Sequence, residues 1–378
     1  MNQSFDVVVL GGGVIGLAVA RELRRAGVAR LAVVDRGILG SGASSAAAGM
    51  LAPDAETDEL DGFYKFCRES LEMYPRFAEE LLDETGVDIE LDRSGTLYAA
   101  FTAADSDEVR HRLETHARNG LNVVYLTAEE TRKAEPFISP DVRESIFFPD
   151  DWQVESRKVL AALRRFAELN SIHVFENTEV LRLVSEGGRV TGVETTSGRI
   201  AAGTTVLATG AWASLIKIDD TPMPFMVEPI RGQIISYKTA KRLFERVIYS
   251  PRGYLVPRAD GRILIGATSE DAGFDASVTD AGTAYLKDVG FEIVPSLSGL
   301  EISDAWAGLR PLASGGHPII GLLPETKGIV VAAGHYRNGI LLSPLTGRIV
   351  ADLIAEGMDS EYFGMFGLGR MSAVPGVL

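Results

Sequence analysis

The feature that most constrains this chain lies near its start. There FDVVVL (5–10) runs into Gly11-x-Gly13-x-x-Gly16 and on into VIGLAVARELRRAG. A short apolar run rich in β-branched residues and bounded by glycine reads as a fully buried parallel strand. In the segment after it, apolar Ile15, Leu17, Val19 and Leu23 oppose polar Arg21, Glu22, Arg24 and Arg25, which predicts a helix closed by Gly27. LAVVD (31–35) predicts a second buried strand, completing a βαβ unit of about 30 residues. In such a unit Gly11 permits the tight turn, Gly13 lets backbone approach a pyrophosphate, and Gly16 lets helix and strand pack closely. The helix start offers free N–H groups and a positive dipole end to phosphates. Asp35, about 20 residues on, is placed to accept ribose hydroxyls. This pattern predicts dinucleotide binding and does not choose between NAD and FAD.

Length and charge bound the rest. The 378 residues predict two domains, and the net charge of −15 argues against a nucleic-acid surface or a polybasic membrane contact. Cys67 is the only cysteine, so no intramolecular disulfide and no CxxC pair exists. The start of the chain lacks a basic n-region and an apolar h-region, and no run approaches about 18 apolar residues. The expectation is a cytoplasmic protein without a membrane span. The five histidines show no metal-ligand spacing, so no metal is expected, and no Ser–His–Asp arrangement is evident.

Farther along, residues 63–84 predict a helix with a break at Pro75, and GTLYAAF (95–101) a strand with one buried face. Residues 105–119 and 156–169 predict helices. VLRLVSEGGRVTGVETTSGRI predicts a hairpin turning at Gly187–Gly188, and TTVLATGAW (204–212) a buried strand. Residues 226–237, 252–257 and 261–268 predict antiparallel strands, with Asp260–Gly261 as a turn. A helix near 280–293 and a strand at 300–309 follow. GIVVAAG (328–334) reads as a strand, and NGILLSPLTGRIVADLIAEG (338–357) as a long amphipathic helix. Beyond Glu356 no periodicity is visible, so that segment is either loose or docked on a neighbour. Parallel-type units at both ends and in the middle, with antiparallel segments between, predict an α/β fold (α+β overall). A discontinuous nucleotide-binding domain (1–85, 156–215, 311–365) is interrupted twice by an antiparallel-sheet substrate domain (86–155, 216–310), and 366–378 form a tail.

The chain holds 40 glycines against 16 prolines, and their placement is informative. GSGASSAAAGM (40–50) is a run of small residues along which main chain can lie against an extended ligand, with Ser44 and Ser45 able to bond its oxygens. This run, with GGGVIG, VVD, LATGAW (207–212), WAGLRP (306–311) and GHYRNGILLSP (334–344), resembles the D-amino-acid oxidase superfamily, in particular its glycine oxidase branch, over roughly residues 5–357. The resemblance implies a Rossmann-like FAD-binding domain of the glutathione-reductase type and a noncovalent FAD. It places Val14 and Ile15 at the pyrophosphate, Asp35 and Arg36 at the adenosine, and Ala43 and Ser44 at phosphate. Ala48, Gly49 and Met50 line the isoalloxazine, Val180 bonds adenine through its backbone, and Gly210 and Trp212 belong to the cofactor wall. His335, Tyr336, Arg337, Asn338, Gly339, Ile340 and Leu341 cover the ring. Gly308 is a further point of backbone approach.

Arg310 ends an apolar strand, where a charge is costly without a partner; either a structural salt bridge or a bidentate grip on a substrate α-carboxylate accounts for it, and the second is the expectation. The resemblance adds Tyr254 as a second carboxylate donor and Arg337 on the substrate side. The helix starting near Asn338 aims its dipole at the edge of the flavin where reduction places negative charge. The implied reaction is hydride transfer from an amino acid Cα to flavin, followed by imine hydrolysis and reoxidation by dioxygen, with no dedicated base. The implied assembly is a homotetramer, and the implied role lies in thiamine biosynthesis. Two departures from the family pattern, Arg252 and Ser269, predict a pocket that admits larger or acidic amino acids. A dehydrogenase passing electrons to a quinone is the near alternative, and a flavin-binding subunit without a substrate site the distant one.

Overall fold

The structure, a computed structural model, describes residues 3–57 and 59–369. The strand Gln3–Leu10 has parallel neighbours on both sides, Leu31–Val34 and Gly198–Leu207, which explains why Val7–Leu10 are apolar on both faces. Helix Val14–Arg25 packs across them through its buried face. Outward from Leu31–Val34 lies His173–Phe175. On the other side Gly198–Leu207 changes partner along its length. Its first half pairs antiparallel with Arg189–Thr195, itself in the hairpin with Val180–Glu186. Its last half, Thr205–Leu207, pairs parallel with Ile329–Ala333. Gly187 and Gly188 turn that hairpin, as the sequence predicts.

A second sheet of eight strands is antiparallel except at one step, where Val247–Ser250 runs parallel to Thr96–Ala100. Its longest pair is Val227–Lys238 with Ile302–Ala313. Thr96–Ala100, Glu144–Phe148 and Val124–Thr127 extend it, although they come from the chain segment before the second half of the first sheet. Two short strands, Lys217–Ile218 and Thr221–Pro222, join the first sheet rather than the second.

Several elements differ from the sequence reading for identifiable reasons. Helix Gly62–Thr85 runs through Pro75 without ending. Asp61 caps it by accepting from the N–H groups of Phe63 and Tyr64, and the buried stripe Phe66, Leu71, Tyr74, Phe77 and Leu81 continues past the proline. The packing of that stripe outweighs one missing N–H. Thr96–Ala100 is buried on both faces, not one, because helix Ala103–Arg118 covers the outer side. The strand expected over 204–212 starts at Gly198 and stops at Leu207; Gly210, at φ +58°, opens a 3-10 helix instead. The helix Gly339–Glu356 is not amphipathic at its start: Ile340–Gly347 are buried all round between Val14–Arg25 and Gly62–Thr85. Pro344 frees the Ile340 carbonyl inside that helix, and the hydroxyls of Tyr74 and Ser343 both donate to it. The end of the chain contains a six-residue helix, Glu361–Phe366, whose Tyr362 and Phe366 rings pack on Phe66. Of the expected tail, residues 370–378 lie outside the described residues.

Candidate active site

A single continuous cavity of about 1480 Å³ passes between the two sheets, from Asp35, Arg36 and Val180 at one end to Tyr254 and Arg310 at the other. That exceeds the roughly 300–1,000 Å³ of an ordinary small-ligand pocket and leaves room for a dinucleotide with a substrate beside it.

The first end is built from backbone. Gly11 sits at φ +101°, and a Cβ on Gly16 would fall 1.9 Å from the Gly11 carbonyl oxygen, so neither tolerates a side chain. The start of helix Val14–Arg25 carries no acidic residue in its first turn, and Gly13 brings no capping side chain. Val14 N–H donates to Ser44 Oγ at 3.1 Å. Asp35 fastens the turn, accepting from Gly12 N–H at 2.7 Å and Gly37 N–H at 2.8 Å, while still bordering the cavity. The Arg36 guanidinium stacks 3.5 Å over the Trp212 ring. The Thr209 hydroxyl, which also borders the cavity, is buried without a hydrogen-bond partner. A glycine cradle, uncapped N–H groups and an orphaned hydroxyl fit a dinucleotide cofactor.

Midway, the start of helix Gly339–Glu356 faces the cavity through Gly339 and Ile340. It has no capping side chain and no acidic residue in its first turn. Its first N–H groups are therefore available to a ligand. His335 is buried beside it with Nε2 3.2 Å from Thr346 Oγ1; burial pushes its pKa down to about 3 and keeps the ring neutral. Ala43, Ala48, Gly49, Met50, Gly210 and Tyr336 line the same space.

The second end is built from charged and phenolic side chains. Arg310 stands on strand Ile302–Ala313, and its Nη1 donates to the Thr268 carbonyl at 3.0 Å. The guanidinium occupies the place a side chain at Gly232 would take: a Cβ there would lie 2.3 Å from it. The Tyr254 ring is seated the same way on Gly266, whose Cβ would fall 2.5 Å from it. Burial raises the Tyr254 pKa against the pull of Arg310 and Arg337. Among the described residues neither Arg310 nor Arg337 forms an ion pair with a carboxylate. Two guanidinium groups at one end of a cavity, neither in direct contact with a carboxylate, leave donors that an anion can use.

Two residues here escape sequence reasoning. Glu56, on the four-residue helix Pro53–Glu56, opens into the cavity. Burial raises its pKa, and the charges of Arg337, Arg310 and Arg112 oppose that rise. Tyr249 stacks on Tyr98 with centroids 5.4 Å apart and borders the same space; burial raises its pKa too. Glu56 lies in the acidic run APDAETDEL, in which no motif or periodicity singles it out.

Some expected contacts lie elsewhere. Ser45 turns its hydroxyl back to the Gly42 carbonyl at 2.9 Å. Asn338 donates its N–H to the His335 carbonyl, and neither it nor Leu341, whose side chain is in the core, borders the cavity. Gly308 does border the cavity, and a Cβ there would fall 2.6 Å from the Ala46 side chain. Ser269 borders the cavity. Arg252 reaches the rim, but its guanidinium is paired with Glu292 and lies 5.8 Å over the Tyr285 ring. It is a matched surface charge and not the free extra cation that the sequence suggested. Among the described residues no cluster of three or more His, Cys, Asp or Glu can hold a metal, and no helix is long and apolar enough to cross a membrane.

The chain matches the FAD dependent oxidoreductase (DAO) family over residues 6–353. It is 36% identical to glycine oxidase of Geobacillus kaustophilus, over all of both chains. It is 34% identical to the bifunctional protein ThiO/ThiG of Synechocystis, with 94% of this chain matching 52% of that one. The crystal structure of the Geobacillus kaustophilus glycine oxidase superposes with a TM-score of 0.90 at 34% identity, covering 98% of this chain and 99% of the other.

Proposed function

Because the chain belongs to the FAD dependent oxidoreductase family, we propose that it oxidatively deaminates glycine and small N-methyl or D-amino acids. The substrate loses two electrons and two protons to give an imine, which water hydrolyses to a 2-oxo acid and ammonia (methylamine from an N-methyl substrate), and dioxygen takes up the electrons and protons as hydrogen peroxide. The observation that carries this reading is the pair of unmatched guanidinium groups, Arg310 and Arg337, at the end of the same cavity that begins at the glycine cradle. FAD, when bound there, supplies the two-electron acceptor. The residues contribute the rest. Arg310 and Tyr254 grip the α-carboxylate and fix the substrate's orientation. Arg337 and Glu56 both border the cavity, influence each other electrostatically and keep that end polar. The uncapped N–H groups at Gly339 and Ile340 present positive potential where negative charge develops. The buried walls around His335 and Tyr254 exclude water. We extend the proposal to the thiazole branch of thiamine biosynthesis, supported by the likeness to the ThiO/ThiG protein.

The test is a visible spectrum of the purified protein, then anaerobic bleaching by glycine, sarcosine, D-proline, D-alanine and D-aspartate, then peroxide assay in air. Bleaching with peroxide is expected. Bleaching without peroxide identifies a dehydrogenase, and no bleaching by any amino acid removes the proposal.

A further inference from the structure

Arg258 is 3% exposed, yet no carboxylate is hydrogen-bonded to it. Its Nε has no hydrogen-bond partner and lies 3.6 Å from Glu155 Oε2. Its Nη1 donates to the Val154 carbonyl at 2.8 Å and to Gln153 Oε1 at 3.2 Å, and its Nη2 donates to the Ala48 carbonyl. A buried cation spending its donors on backbone oxygens is expensive, so what those oxygens belong to matters.

One belongs to the cavity wall, at Ala48, and the other two to Gln153 and Val154, in the segment that backs that wall. Ala48, Gly49 and Met50 line the cavity, and Met50 pairs antiparallel with Gln153. Val154 N–H donates to the Gly49 carbonyl at 2.9 Å. Gly49 is held at φ +77°, where a Cβ would fall 2.0 Å from the Val154 carbonyl oxygen. Arg258 itself follows the strand Gly253–Pro257, which carries Tyr254, so one guanidinium joins the substrate wall to the wall made by Ala48–Met50. In a trans peptide C=O and N–H point in opposite directions. Anchoring the Ala48 carbonyl on Arg258 therefore turns the Gly49 N–H away from Arg258, toward the cavity.

We propose that Arg258 is a positioning residue: by pinning the Ala48 carbonyl it holds the Gly49 N–H in the cavity as a donor to bound FAD, and ties that donor to the strand bearing Tyr254. The inference rests on the FAD reading above. It is tested on the full-length holoenzyme with Arg258→Met, which keeps the side chain's bulk, and Arg258→Lys, which keeps the charge but cannot span three oxygens. Three quantities are read: the FAD dissociation constant, the position of the flavin absorption bands with the reduction potential, and the melting temperature. Expected for Arg258→Met are at least tenfold weaker FAD binding and displaced bands and potential, with Arg258→Lys in between. A lowered melting temperature with unchanged bands and potential would overturn the proposal, as would FAD binding within twofold of the parent in Arg258→Lys. A parent chain that binds no FAD at all would overturn the cofactor reading beneath it, an outcome visible before any variant is made.

Discussion

The two ends of the cavity are made of different material. At the Gly11–Gly16 end the working groups are backbone N–H donors, small residues and a helix terminus, and the nearby side chains Asp35 and Ser44 mostly brace the backbone. At the Arg310 end the working groups are side chains, and the backbone makes room for them: Gly232 clears the Arg310 guanidinium and Gly266 the Tyr254 ring. The contrast teaches what each ligand needs. A pyrophosphate offers many equivalent oxygens, so close approach and positive potential suffice. An α-carboxylate beside a small side chain must be held in one orientation, which takes a planar fork of donors in a fixed place.

Breaking the first end should have the largest effect. Gly16→Val drives side-chain atoms into the Gly11 carbonyl, and the expected result is a protein without flavin absorbance, measured after purification in excess FAD. If FAD is retained, the cradle does not depend on that close packing. Breaking the second end should separate the two functions. Arg310→Ala is expected to keep the flavin spectrum while kcat/KM for glycine falls roughly 30- to 5,000-fold, about 2–5 kcal/mol. Loss of FAD together with activity would merge the two ends into one unit.

Glu56→Gln sharpens the comparison through pH. The folded pKa of Glu56 is raised from 4.5, so just above that value the folded chain holds a proton that the unfolded chain has lost. Stability from this group is present at low pH and falls as pH rises through that interval. Glu56→Gln should therefore improve in melting temperature relative to the parent as pH increases from 4 to 7; a constant difference would place Glu56 in an ordinary solvated setting. The smallest effect is expected at the rim. Arg252→Ala removes a half-exposed ion pair with Glu292, worth about 1 kcal/mol or less. KM for D-aspartate should change less than about threefold, and a larger rise would restore Arg252 as a substrate-binding cation.

The first end was legible because its chemistry is local. Strand, glycine turn, helix and Asp35 fall within one stretch of chain, and each glycine's duty follows from that stretch. The second end was only half legible. Arg310 stands out as a charge at the end of an apolar strand and Tyr254 only through the family resemblance, but nothing near Gly232 or Gly266 shows that an arginine and a tyrosine from other strands need their space. Arg252 misled for the same reason: its partner, Glu292, lies on a helix 40 residues away. Pro75 misled because a proline's local cost was visible and the long buried stripe that outweighs it acts only after packing.

By itself the sequence determined the βαβ unit with its glycine turn and the hairpin at Gly187–Gly188, all set by short-range periodicity. Tertiary structure decided which charges are matched and which are left bare. Arg252 is ion-paired with Glu292, Arg310 and Arg337 form no ion pair among the described residues, and Glu56 borders the cavity within electrostatic reach of both. Those outcomes depend on which loops and helices pack around the second sheet, since Arg252, Arg337, Glu56 and Glu292 all lie outside its strands, and packing at long sequence separation is fixed by the whole chain and not by any one segment of it.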